Sequence, residues 1–149
     1  MKICVDFDGT VVEENGEFYS GGGPEKFEFI PFAQQALRAL HRAGHFLILS
    51  SCRANREKRF GPEIFIDDTI PTDWRVVEKR LELCTIHQRR FEGMRQFIRS
   101  NLPGVFDVID EGTLGKPIAD LYFDNRAFLV RGAREWERVG NLYGHRMVA

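Results

Sequence analysis

Two aspartates stand two residues apart close to the start of the chain. Asp6 and Asp8 directly follow the apolar run Ile3-Cys4-Val5. Side chains two apart on a strand share a face, so both carboxylates should leave the strand end in the same direction. Two acids so close repel each other unless a cation lies between them, and Mg2+ prefers hard oxygen ligands. The pair therefore indicates a magnesium site.

Gly9 and Thr10 follow the two acids. Gly9 lets the backbone turn sharply beside them, and Thr10 offers a hydroxyl and an amide to an anion. The same Asp-Gly-Thr sequence is also ordinary turn chemistry after a strand. A second cluster of polar groups elsewhere in the chain is needed to favour a functional site over a simple turn.

A second apolar run ends in hydroxyls and a cation. Residues 45–49 are followed by Ser50, Ser51 and, after one cysteine, Arg53. Ser51 or Ser50 could donate a hydrogen bond to a phosphate oxygen, and Arg53 could add positive charge. The alternative for Ser51 is an N-cap of the segment that follows.

Acidic residues close two further short apolar runs. Asp67 and Asp68 end one of them and Asp124 ends the other, so these carboxylates compete as candidate metal ligands. A loop before Asp124 carries one lysine, Lys116. Ligands of open parallel sheets bind outside the carboxyl ends of the strands. The sequence therefore predicts one crevice that gathers Asp6, Asp8, Ser51 and Asp124.

The elements that must position these side chains follow from the spacing of apolar residues. A strand at the start, a helix over 31–44 and a strand over 45–49 imply a crossover connection and a parallel sheet. A third strand is expected over 105–109, after one long helix from 74 to 100 that could break near Gly93. Residues 128–149 are expected to add a peripheral helix and a last strand or tail. The predicted fold is α/β, a Rossmann-like open parallel sheet flanked by helices.

A small flap is expected beside the acids. Asn15-Gly16 is the pair that best supports a two-residue hairpin turn, and strand-like residues flank it on both sides. No stretch over 10–31 or 53–105 is long enough for a large cap domain. The crevice should therefore be fairly open.

Length and composition bound the kind of protein. A chain of 149 residues suits a single domain, 1–149, and its 21 basic and 22 acidic residues nearly cancel. This balance gives no strong overall electrostatic field that would favour binding to nucleic acid or to an anionic membrane. The three cysteines lack metal-ligand spacing, and the sequence shows no signal peptide and no run long enough to cross a bilayer. We expect a soluble cytoplasmic protein.

A cysteine and an arginine six positions later, Cys84 and Arg90, match the bare spacing of a thiol phosphatase. That chemistry needs a strand before the loop and glycines that bend backbone amides around phosphate. This segment instead has helical spacing, with Cys84 on the apolar stripe. The match is therefore interpreted as chance.

The Asp-x-Asp-Gly-Thr sequence from Asp6 to Thr10 resembles the first motif of phosphatases in the haloacid dehalogenase superfamily. Ser51, with Ser50 as the alternative register, is similar to the second motif of that family, Lys116 to the lysine motif and Asp124 to the acidic fourth motif. The segment that ends in Asp124 and Asn125 is also similar to small capless members, of the capsule-biosynthesis or phage type. Those usually have a second aspartate where Asn125 stands.

The resemblance implies a magnesium-dependent phosphomonoester hydrolase. Asp6 would be the nucleophile that forms an aspartyl phosphate, and Asp8 the general acid and base. Mg2+ would be held by Asp6, the main-chain carbonyl of Asp8 and Asp124. The transferring phosphate oxygens would be bound by Gly9, Thr10, Ser51 and Lys116.

Substrate and alternatives stay open at this point. An open crevice permits a sugar phosphate, a nucleotide or a phosphate on a nucleic-acid end, and the long helical segment could roof the site or form a homodimer face. A catalytically silent metal-binding regulatory or assembly module is the alternative function. A phospho-accepting signalling receiver is a third reading, but its acceptor normally lies on a middle strand rather than at the start of the chain.

Overall fold

The computed structural model describes residues 1–14, 25–56, 59, 74–125 and 132–144. The elements within these ranges are β1 (Lys2–Val5), α1 (Ala33–Arg42), β2 (Phe46–Leu49), a 3-10 helix (Cys52–Ala54), α2 (Trp74–Asn101), β3 (Val108–Ile109), β4 (Leu121–Phe123) and α3 (Ala133–Tyr143). The described strands form one parallel sheet in the order β3-β2-β1-β4. The protein therefore has the α/β, Rossmann-like open sheet flanked by helices that the sequence predicts.

β1 is the strand at which the order of strand addition reverses. Val5 of β1 lies opposite Leu49 of β2 on one side and opposite Phe123 of β4 on the other. The chain first builds outward from β1 through β2 to β3, and then returns to the far side of β1 with β4. Open parallel sheets form their ligand crevice at such a reversal, outside the carboxyl ends of the strands.

Both faces of the sheet are covered. Ile3, Cys4 and Val5 are consecutive and all buried, although neighbouring side chains on a strand point to opposite faces. The last helix takes part in this core, because α3 packs against α1 and its Trp136 is completely buried. The prediction that the C-terminal helix is peripheral is therefore wrong for α3.

α2 is a single helix of 28 residues that continues through Gly93. Phe91, Met94 and Ile98 in its second half are buried, whereas Leu81 is 57% exposed. Among the side chains of this helix that the structure describes, the predicted apolar stripe is thus buried toward the C-terminal end, while Leu81 is exposed. The whole of 84–90 is helical, so the thiol-phosphatase spacing is the chance match that the sequence suggested. No helix of the described ranges is long and apolar enough to cross a membrane.

The segment after the acid pair turns back along the chain that leads into α1. Val12 pairs in antiparallel fashion with Phe29, and the Ile30 amide donates to the Val11 carbonyl at 3.0 Å. The predicted hairpin turn at Asn15-Gly16 lies outside the described residues. Asp67 and Asp68, the competing metal ligands, also lie outside them.

Candidate functional site

A cavity of about 790 Å3 lies at the carboxyl end of the sheet. It gathers groups that are far apart in the sequence and that follow all four described strands. Among the residues that line it are Asp6, Asp8, Ser50, Ser51, Asp110, Lys116, Asp124 and Asn125. The structure thus places in one crevice the four residues that the sequence predicts there, while their chemical roles stay predictions.

Asp6 is held at the end of β1 by main-chain and side-chain contacts. Its amide donates to the Phe123 carbonyl at 2.9 Å, which ties it to β4. Its carboxylate accepts hydrogen bonds from the Phe7 amide and the Thr10 hydroxyl. These contacts fix the orientation of the carboxylate that we expect to be the nucleophile.

The electrostatic setting of Asp6 disfavours its ionised form. The pKa of Asp6 is raised to about 7. Burial is the largest cause, and the negative charges of Asp124 and Asp8 also contribute to this rise. The hydrogen bonds to the carboxylate act in the opposite direction but are too weak to cancel it. A divalent cation between Asp6 and Asp124 would restore the ionised form.

Gly9 makes the turn that the sequence predicts. Its φ is +72°, a left-handed conformation that favours glycine, and a Cβ at this position would lie 2.7 Å from Nδ2 of Asn125. Its amide donates to the Val12 carbonyl at 2.9 Å, and the Thr10 amide to the Phe7 carbonyl at 3.3 Å. Both amides that we expected to bind phosphate therefore donate within the loop, and phosphate binding by Gly9 and Thr10 stays a prediction.

Thr10 connects the acid loop, which is residues 6–10, to two later parts of the chain. Its side chain is completely buried, and Oγ1 accepts the amide of Asn125 at 3.1 Å. The Thr10 carbonyl accepts the indole N–H of Trp136. Sequence reasoning missed Trp136, whose only signal was a large aromatic residue in a segment otherwise rich in charge.

Asp8 is bound by Arg53. Nε of Arg53 lies 2.7 Å from Oδ2 of Asp8, and Nη2 lies 2.8 Å from Oδ1. Burial alone lowers the pKa of Arg53, but the hydrogen bonds with Asp8 and Glu25 raise it above its ordinary value. The guanidinium is therefore a permanent cation, and both oxygens of the expected acid/base group face it.

The two serines after β2 have different partners. Oγ of Ser51 accepts the Arg53 amide at 3.1 Å and so caps the 3-10 helix, as the alternative reading of Ser51 predicted. A hydroxyl that accepts one bond still has its own hydrogen to donate, so capping and phosphate binding are compatible. The Ser50 hydroxyl is hydrogen-bonded to the thiol of Cys4.

The loop between β3 and β4 supplies one cation and one acid. Lys116 reaches the cavity from this loop, with Nζ 4.6 Å from the centre of the Tyr122 ring. Asp110 also lines the cavity, and its amide donates to the Leu49 carbonyl at 2.8 Å. Sequence reasoning missed Asp110, although it ends the β3 run just as Asp6 ends the β1 run.

The donor set suits a hard cation. Acids outnumber bases among the lining residues, which include Asp6, Asp8, Glu14, Asp110 and Asp124 against Arg56 and Lys116. Within the described ranges, no three His, Cys, Asp or Glu side chains are arranged to hold one metal ion. The expected set has only two carboxylates and one main-chain carbonyl. Mg2+ often binds one or two carboxylates and keeps several waters, so these residues fit the ion.

Comparisons with known proteins give little further information about the chain. It matches no protein-family model and no curated protein. One solved structure, of a conserved protein coded by a locus of Bacteroides thetaiotaomicron, is similar to 95% of this chain and 87% of its own at 26% identity, with a TM-score of 0.44. The fold stated above therefore rests on the strand pairing of this protein itself.

Proposed function

We propose that the protein is a magnesium-dependent phosphomonoester hydrolase of the haloacid dehalogenase type. The observation that carries the proposal is the convergence of Asp6, Asp8, Ser51, Lys116 and Asp124 on one cavity at the reversal of strand order. These residues are the ones that match the family motifs. Turns that merely end strands would not need to bring a hydroxyl, a lysine and three acids into one crevice.

Asp6 and Asp8 divide the chemistry between them. A carboxylate oxygen of Asp6 attacks phosphorus, the ester P–O bond breaks, and Asp8 gives a proton to the departing alcohol oxygen. Asp8 then takes a proton from water, whose oxygen attacks phosphorus and releases Asp6 and inorganic phosphate. Ser51 and Lys116 bind the oxygens of the transferring group through a hydroxyl and a positive charge.

The acidity of the cavity supports the requirement for magnesium. The phosphate dianion and the Asp6 carboxylate would repel each other, and the lining carries more negative than positive side chains. Asp6, Asp124 and the Asp8 carbonyl would hold Mg2+. When bound, the ion screens this repulsion and keeps Asp6 ionised.

The size of the cavity supports a small phosphorylated substrate. Its volume lies within the range of about 300–1,000 Å3 that is common for small-ligand sites. A sugar phosphate, a nucleotide or the phosphorylated end of a nucleic acid are the substrate classes we propose.

Cys4, Cys52 and Cys84 are all free, which supports a reducing compartment such as the cytoplasm.

The test is phosphate release across sugar phosphates, nucleotides and end-phosphorylated oligonucleotides, with Mg2+ and with a chelator. We expect turnover of at least one class in Mg2+, loss of turnover in the chelator, and a severe loss in Asp8→Asn. Magnesium binding without release of phosphate from any class would refute the proposal. That result would favour the second candidate, a silent metal-binding module, which Asn125 in place of a second acid also favours.

A further inference from the structure

Arg53 is buried between the acid loop and the segment that begins at Glu25. Its side chain is 1% exposed. Two of its N–H groups bind Asp8, and Nη1 and Nη2 lie 2.8 Å from Oε1 and Oε2 of Glu25 respectively. One guanidinium thus holds two carboxylates, each through both of its oxygens.

Two aromatic rings lie within cation–π distance of the guanidinium. Cζ of Arg53 is 5.5 Å from the centre of the Phe7 ring and 5.1 Å from that of the Phe27 ring. Nη1 also lies 3.4 Å from the Arg90 carbonyl of α2. The group is therefore fixed in place by the loop that follows β1, by α2 and by the segment that precedes α1.

The two carboxylates have different positions relative to the cavity. Asp8 lines the cavity, whereas Glu25 binds Arg53 without being among the lining residues. If Asp8 moves toward a substrate, Glu25 still neutralises the buried guanidinium, so its departure does not leave a buried charge unpaired. Glu25 therefore lowers the cost of moving Asp8.

We propose that Arg53 is a positioning residue for Asp8, and that Glu25 holds Arg53 in place while Asp8 exchanges protons. This inference rests on the proposed function, in which Asp8 gives a proton to the leaving oxygen and takes one from water. A lysine cannot replace the arginine, because a single ammonium cannot bind two carboxylates through both oxygens of each.

The leaving group reports on the position of Asp8. An alkyl phosphate needs a proton on its departing oxygen, whereas nitrophenyl phosphate releases a stabilised anion that does not. We expect Arg53→Lys to lower kcat/KM about 100-fold on an alkyl phosphate and less than about 10-fold on nitrophenyl phosphate, since general acid catalysis contributes about 10^2- to 10^4-fold. The quantity compared is kcat/KM because it reports the first step only, whereas kcat also includes the later attack of water, in which Asp8 acts on both substrates. Glu25→Gln should shift selectivity in the same direction by a smaller factor.

A double-mutant cycle tests whether Arg53 acts through Asp8. In the Asp8→Asn background, Arg53→Lys should cause no further loss on the alkyl phosphate, because the group that it positions has been removed. A residue that only supported the fold would lower activity in both backgrounds by the same factor. Arg95→Lys is the matched control, since Arg95 binds Glu92 on α2 at 3.0 Å and does not line the cavity.

The possible results separate this inference from the proposed function. If the wild-type protein hydrolyses neither substrate, the proposed function fails and the inference fails with it. If the wild type is active, an equal loss on both substrates, no loss on either, or an additive cycle would overturn the inference alone. Should Arg53→Lys fail to fold, unchanged leaving-group selectivity in Glu25→Gln would overturn it instead.

Discussion

At the scale of single residues, Gly9 shows how one position shapes the candidate site. Its left-handed φ costs a residue with a Cβ about 1–2 kcal/mol, and the side-chain amide of Asn125 would additionally have to move. Gly104 has nearly the same φ, +71°, but nothing lies within 4 Å of its added Cβ. We expect Gly9→Ala to lower the free energy of unfolding by up to about 1 kcal/mol more than Gly104→Ala, because the atom that must move is at the end of the Asn125 side chain.

Urea unfolding of the two variants and the wild type measures this difference. Because both substitutions change the unfolded chain in the same way, subtracting one from the other isolates the contact with Asn125. Equal losses in the two variants would show that the Asn125 side chain moves away without cost.

Asp6 predicts a pH dependence of the metal-free protein. Its pKa is about 7 in the folded state, against an ordinary value near 3.8. Between pH 3.8 and pH 7, Asp6 therefore holds a proton in the folded state that it has lost in the unfolded state. The contribution of Asp6 to stability therefore falls as pH rises through this window, by an amount on the order of a few kcal/mol. Above pH 7 the destabilisation is complete.

Asp6→Asn removes the charge and should remove this effect. In a chelator, we expect the melting temperature of the variant to exceed that of the wild type by several degrees at pH 8. The difference should shrink as pH falls toward 4. A difference that does not depend on pH would mean that the charge of Asp6 is not the cause.

For the residues of the acid loop, local spacing could be predicted from the sequence but long-range contacts could not. Their spacing after an apolar run was enough to predict that Asp6 and Asp8 line one cavity, although both follow the last residue of β1, Val5. Contact between Asp8 and Arg53 joins positions 45 residues apart, and contact between Arg53 and Glu25 joins positions 28 apart. Such contacts depend on how elements pack, which local patterns do not encode.

At the scale of elements, the two serines that follow β2, which the sequence left as alternatives, have different partners. Ser51 caps the 3-10 helix, whereas the Ser50 hydroxyl binds Cys4. We expect Ser51→Ala to weaken phosphatase activity about 10- to 100-fold, and to cost about 1 kcal/mol through the lost cap. Ser50→Ala should retain most of the activity, and kcat/KM of both variants measures the difference. A larger loss in Ser50→Ala would make Ser50 the phosphate-binding hydroxyl.

Helices were predicted less well than strand ends. Helical spacing predicted α2 as one long helix or as two that break near Gly93, but it did not predict that Phe91 and Met94 are buried while Leu81 is exposed. The role of α3 was missed, although Trp136 and Val139 are both buried in the core and Trp136 also binds the Thr10 carbonyl. The spacing of three residues between them is helical and could have identified the buried face of α3 from the sequence.

At the scale of the whole molecule, the position of the cavity follows from the order of the strands. Crossover connections make the sheet parallel, and parallel strands bring their carboxyl ends to one edge. This rule let the sequence predict one crevice from residues more than 100 positions apart. The same rule could have found Asp110, which directly follows β3 and was missed, but not Glu14, which reaches the cavity from a loop whose course depends on the finished fold.

The most direct measurement of the central claim is kcat/KM of the wild type and of Asp6→Asn on the best phosphomonoester, in saturating Mg2+. If Asp6 is the nucleophile, the variant should lose at least about 10^4-fold, since an amide in place of the attacking carboxylate cannot form the aspartyl phosphate. Far-UV circular dichroism and melting temperature would show that the variant is folded. Activity of Asp6→Asn within about 10-fold of the wild type would contradict the account.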